Sequence, residues 1–134
     1  MEQVVYLDTE GIGSTLFERS VDVHLVEGVE YLMKWYKSAL DADLMIWFDS
    51  CGSIRRFQLN VMGQVTEWSC DHGLRTGLIV ETEIQGVEFK LAEWSEAIRF
   101  DRDRDARALA ISRRVVAAMP MSSWKAMILD SLSL

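Results

Sequence analysis

LMIWFDSCGSIRRFQLNVMGQVTEWS, residues 44–69, is the stretch on which the fold class turns. Leu44–Phe48 is an unbroken apolar run bounded by turn residues, the pattern of a central strand covered on both faces. Ser50-Cys51-Gly52 suits a three-residue hairpin loop whose Gly takes positive φ. Beyond it Phe57, Leu59 and Val61 alternate with Arg56, Gln58 and Asn60, a period of two. Met62-Gly63 can then turn the chain into Gln64–Ser69. With those two residues as the turn, Phe57 lies opposite Trp68 and Gln58 opposite Glu67. Aromatic groups share one face and polar groups the other, the consistency a real hairpin requires.

Downstream, Cys70 to Gly77 reads as a connection. GLIVETEI and VEFKLA follow, flanking Gln85-Gly86, and predict a further hairpin. Its outer face would carry Glu81, Glu83 and Glu88 beside Lys90, a local acidic stripe that Glu67 joins if the strands are neighbours. Trp94 and Ile98, four apart, suit a short helix. The segment DRDRDARALAISRRVVAAM has acids in its first turn and Arg113-Arg114 in its latter half, as a helix dipole favours. Pro120 stops that helix. A last helix is expected to turn Trp124, Met127, Ile128 and Leu132 inward.

Upstream, Gln3–Leu7 reads as a short strand and residues 11–13 as a Gly-rich turn. Val21, Val23 and Leu25 alternate with Asp22 and His24, as in a half-buried strand. Val29, Leu32, Met33, Tyr36 and Leu40 fall at helical spacing, with Glu30, Lys34 and Lys37 opposite, which predicts a helix over about 28–41. The expectation is an α+β fold spanning 1–134 as one domain. A single antiparallel sheet of about five to seven strands, built from meander hairpins, packs against a helix in the N-terminal half and helices at the C-terminus.

The 134 residues are 49% apolar, with five Trp, five Phe, three Tyr and seven Met, ample for one core. Net charge is −7 and uneven: residues 1–100 hold eight basic and seventeen acidic side chains, residues 101–134 six and four. Such a body repels nucleic acid and anionic membrane and attracts a basic protein. Two cysteines make no disulfide framework. No basic segment followed by an apolar one opens the chain, so a cytoplasmic protein is expected.

Candidate chemistry is sparse. Cys51, Cys70 and His72 could supply three zinc ligands, but the close Cys pairing of structural sites is missing. Cys70 and His72 are poorly spaced for a nucleophile and its base. A solvated loop tip is the favoured reading of Asp71, His72 and Arg75. Tyr6–Glu10, a strand ending in Asp8-x-Glu10, resembles the first motif of the DnaQ-like exonucleases. The later motifs of that family are absent, and the assignment is rejected. Gly11-x-Gly13-Ser14-Thr15 lacks the third Gly of a dinucleotide loop and the Gly-Lys of a phosphate loop. Asp41-Ala42-Asp43 resembles the Asp-x-Asp of metal-using glycosyltransferases, yet suits a helix end. Arg55-Arg56 could bind an anion but makes no nucleic-acid stripe. Arg102, Arg104, Arg107, Arg113 and Arg114 suit a solvated helix face.

No constellation has the geometry of a catalytic site, and neither metal nor cofactor is expected. The reading that remains is a small acidic interaction module, of immunity-protein or inhibitor type. It would bind and inhibit or escort a more basic protein through Glu67, Glu81, Glu83 and Glu88. The rivals are a small-molecule binder or minor enzyme, with a pocket between sheet and helices near Trp35, Trp47 and Trp68, and a homodimeric structural protein.

Overall fold

Alternation along the chain sets up one sheet. The computed structural model describes residues 7–80, 98–120 and 122–133. Within them lie seven strands, β1 (Phe17–Val26), β2 (Val29–Ser38), β3 (Ala42–Phe48), β4 (Ile54–Val61), β5 (Gln64–Ser69), β6 (Gly73–Ile79) and β7 (Ile98–Phe100). They form a single antiparallel sheet in sequence order. Three helices accompany it: α1 (Thr9–Ser14) before the sheet, and α2 (Ala106–Ala118) and α3 (Lys125–Leu132) after it. The α+β architecture is therefore the expected one.

The deciding stretch forms β3, β4 and β5 in the expected register. Phe57 pairs with Trp68 and Gln58 with Glu67. Gly52 sits at φ 80°, and Met62-Gly63 turn the chain with φ 51° and 85°. Leu44, Met45, Ile46 and Trp47 are all buried, so β3 is covered on both sides.

Several expectations are overturned: β6 begins at Gly73, so residues 73–77 of the expected connection are strand, with Arg75 inside it rather than at a solvated loop tip. Residues 28–41 form no helix; β2 occupies Val29–Ser38. Glu27 and Gly28 both take positive φ, 52° and 80°, and make a two-residue turn between β1 and β2. β2 then pairs with β1 over Val29–Lys37 and with β3 over Leu32–Ser38. Val29, Tyr31, Met33 and Trp35 share one face and Leu32 and Tyr36 the other, so the segment also carries a period of two. Its β-branched and aromatic residues favour that reading. Hydrogen bonding on both sides decides between the two periods.

The N-terminal-half helix is instead the short α1. Asp8 caps it by accepting from the Gly11 amide. Gly13 lets α1 press against α2: a Cβ there would run into the Val115 carbonyl oxygen and the Ala118 methyl. Leu7 belongs to no strand, and residues 3–6 of the predicted first strand lie outside the described residues. The predicted hairpin around Gln85-Gly86 lies there too, beyond Gly77–Ile79 in β6. Trp94 is outside as well, and Ile98 opens β7 rather than continuing a helix.

Register divides the side chains between two faces. Leu44, Ile46, Phe57, Leu59, Val61 and Leu74 share one face and form a single cluster with Ile12, Leu16, Leu109, Val115, Val116, Trp124, Ile128 and Leu132 of the helical segments. Each such side chain contributes about 1.5–3 kcal/mol through burial. Ser112 donates to Thr66 across the α2–sheet contact, at 2.7 Å. Asp105 caps α2, and its own amide donates to Thr76 of β6. Met127 was expected inward and is exposed on α3.

The opposite face has a second, smaller cluster of Met33, Met45 and Trp47, with Tyr31 and Trp35 against it. Polar residues of β4 and β5 are buried beside it, Gln58 and Glu67 among them.

Candidate functional site

In a meander, alternate turns share one end of the sheet. The β1–β2, β3–β4 and β5–β6 connections do so here, which brings Cys51, Cys70 and His72 to the same end. All three are exposed, and the two thiols are unpaired. Among the described residues no group of three or more His, Cys, Asp or Glu side chains is placed to hold a metal. Shared location does not amount to a shared site.

A different constellation does form at that end. A cavity of about 160 Å³ is lined by Val26, Tyr31, Trp47, Arg55, Arg56, Ser69, Cys70 and Asp71. A β-bulge builds it. Trp47 pairs with Arg56 and Phe48 with Ile54, so Arg55 is the extra residue of β4. In a regular strand consecutive side chains point to opposite faces; a bulge re-aims one of them. Arg55 and Arg56 therefore reach one cavity wall. The Cys70 amide donates to the Arg55 carbonyl at 3.1 Å and ties the β5–β6 turn to the bulge.

Arg56 is held from several sides. Its guanidinium lies 4.7 Å from the Trp47 ring centroid, a cation–π contact. Its Nη2 donates to Glu67 at 2.8 Å and to Gln58 at 3.3 Å. Arg75 donates to the other Glu67 oxygen at 2.6 Å and lies 3.8 Å from the Phe100 ring centroid. A carboxylate with 1% of its residue surface exposed is thus matched by two guanidinium groups. The network is short of acceptors. Arg56 Nε, Arg75 Nε and Gln58 Nε2 are buried with no hydrogen-bond partner among the described residues.

Glu67 is accordingly not on an outer acidic face. The polar face of the β4–β5 hairpin is packed against the second cluster, and charge pairing makes that burial tolerable. Glu81, Glu83 and Glu88 lie outside the described residues. The three tryptophans do not converge either. Trp68 stacks on Phe57 on the helix-bearing face, Trp35 donates to Asp43 at 2.9 Å, and Trp47 alone lines the cavity.

Other flagged residues have local duties. Asp8 caps α1, and Gly11 to Ser14 lie inside that helix. Asp41 holds a turn at φ 60° and Asp43 accepts from Trp35, so neither ends a helix. The five C-terminal arginines are exposed, but only Arg107, Arg113 and Arg114 lie on α2; Arg102 and Arg104 precede it.

The second notable surface is β1. It stands at the edge of the sheet, paired with β2 alone among the described residues. Val21, Val23 and Leu25 alternate as the sequence implied, but they are not half-buried: Val23 is 64% and Leu25 70% exposed. Leu32 extends the apolar stripe onto β2, and Val26 and Val29 expose apolar surface beside the turn. Alternation alone locates such a strand without saying whether anything covers it. No protein family, curated protein or solved structure matches the chain.

Proposed function

We propose that the chain is a protein-interaction module that captures a more basic protein and inhibits or escorts it, with β1 as its docking strand. The supporting observation is the apolar stripe Val21, Val23 and Leu25 on a ten-residue edge strand. An edge strand offers unpaired N–H and C=O groups to an incoming extended segment, and alternate side chains supply the contact that selects it. Single exposed apolar residues are ordinary; a contiguous stripe marks an interaction surface. The net charge of −7 sets the sign of the partner. Long-range attraction by such a body speeds encounter and weakens with salt. Small acidic inhibitors such as immunity proteins share this size and charge.

The test is a salt-dependent capture from the native host, followed by kinetics with the recovered protein. A basic partner whose on-rate falls with salt, and whose affinity drops about tenfold or more for Val23→Lys, supports the reading. Equal binding by wild type and Val23→Lys removes β1 from the interface. Sedimentation over a range of concentrations checks the rival occupant: a self-associated dimer lost in Val23→Lys assigns the edge to a second copy of the chain.

A further inference from the structure

We propose that the cavity at the β4 bulge binds a small organic carboxylate with a flat, ring-sized apolar body. The inference is independent of the β1 docking surface. Three observations carry it. The bulge places Arg55 beside Arg56 on one wall, so two guanidinium groups face one space. Arg55 is exposed and forms no ion pair among the described residues, whereas Arg56 is already bound to Glu67, so Arg55 is the guanidinium free to meet an anion. Tyr31 and Trp47 add aromatic surface to the lining, with Val26 beside them.

Size narrows the class. The cavity volume of about 160 Å³ is close to the roughly 150 Å³ that accommodates benzene in an apolar protein cavity. A carboxylate head against the arginines with a ring against Trp47 and Tyr31 fills both kinds of wall. Asp71 also faces the cavity, so the local charge is one positive unit rather than two. That balance suits a monoanion better than a multiply charged phosphate. Cys70 lies at the wall and Cys51 does not, which provides an internal reporter.

Benzoate is the probe, with benzamide as its neutral counterpart and inorganic phosphate as a bare anion. Binding is read by tryptophan fluorescence and by alkylation of the two thiols. Saturable benzoate binding is expected, with benzamide and phosphate each weaker by about tenfold or more, the scale of a charge-assisted bidentate contact. Bound benzoate slows alkylation of Cys70 and leaves Cys51 unchanged. Arg55→Gln, at an exposed position outside the Glu67 network, lowers benzoate affinity about tenfold with an unchanged far-UV spectrum, and Asp71→Asn raises it. Equal affinity for benzoate and benzamide overturns the proposal, as does phosphate binding more tightly than benzoate. Equal protection of both cysteines, or no saturable binding at all, does the same.

Discussion

The two faces of the sheet solve the same burial problem by different chemistry. On the helix-bearing face, Leu44, Ile46, Phe57 and Leu59 meet apolar side chains of the helices, and burial is favourable residue by residue. On the opposite face, β4 and β5 bury Gln58 and Glu67 beside Met33 and Met45. There the fold depends on pairing: Glu67 is tolerated because Arg56 and Arg75 meet it and Trp47 and Phe100 flank them. An apolar face survives many hydrophobic exchanges, whereas a polar network fails when one member is lost. The first face is general packing; the second is specific.

The comparison can be broken at several points. The largest effect is expected from Phe57→Ala, which opens a cavity under the helices and removes about 3–5 kcal/mol of stability. Urea unfolding measures it, and a loss below about 1 kcal/mol would mean that the helices collapse into the space.

Glu67→Ala should come next. It leaves two guanidinium groups facing each other, and because both arginines are about one-third exposed the expected loss is about 2–3 kcal/mol, below the range for a wholly buried pair. The triple replacement Arg56→Met, Glu67→Leu, Arg75→Met should recover most of that loss. If the triple variant is less stable than Glu67→Ala, the network contributes more than charge neutralisation.

A pH effect tests the boundary of the helix layer. The Tyr36 hydroxyl accepts from Trp124 Nε1 at 3.2 Å. Burial raises its pKa above the ordinary 10.0; the Trp124 hydrogen bond offsets part of that rise, and the negative charge of Glu18 adds to it. Below pH 10 both folded and unfolded chains hold the proton, and the contribution is fully present. Above it the unfolded chain ionises first, so stability falls as pH climbs toward the folded-state pKa. Melting wild type and Tyr36→Phe side by side at about pH 9 and about pH 11 isolates this group. Wild type should hold an advantage of about 1 kcal/mol at the lower pH from the hydrogen bond, narrowing at the higher one. A constant gap would show that Tyr36 does not titrate differently on folding.

The smallest stability change belongs to β1. Val23→Lys should alter unfolding by no more than about 0.5 kcal/mol, because the side chain is solvated. Its effect should fall on binding instead. A loss of several kcal/mol would mean that the stripe is structurally covered.

Much of the architecture was legible in the chain. The β4–β5 register followed from Phe57, Gln58, Glu67 and Trp68 because a one-residue slip would have put both aromatics on the polar side. The end of α2 followed from Pro120, but its start did not: the acidic run 101–105 precedes the helix, which opens at Ala106 behind the Asp105 cap. The misreading of 28–41 has a physical origin: Val29, Leu32, Met33 and Tyr36 satisfy a helical spacing while Tyr31 and Trp35 satisfy alternation. Gly28 was the local signal for a hairpin turn, since it takes positive φ freely, whereas Glu27 does so under the constraint of the two paired strands. The ligand cavity was barely visible. Arg55-Arg56 suggested an anion site, but a bulge depends on how two strands pair, and no local pattern announces it. The burial of Glu67 was hidden for the same reason, because its partners stand eleven residues before it and eight after it on neighbouring strands.

By itself, the sequence determined the class of fold, the inward set of apolar residues on β3 and β4 and, Met127 apart, on α3, and the acidic charge of the whole. These rest on periodicity, turn chemistry and composition, which act over a few residues or over the entire chain. Tertiary structure alone decided that residues 29–38 are a strand, that Glu67 is buried between two arginines, and that β1 leaves its apolar side to solvent. Each of those depends on what lies across a strand pair or above a sheet face, and such neighbours are set by the folded arrangement rather than by any local run of residues.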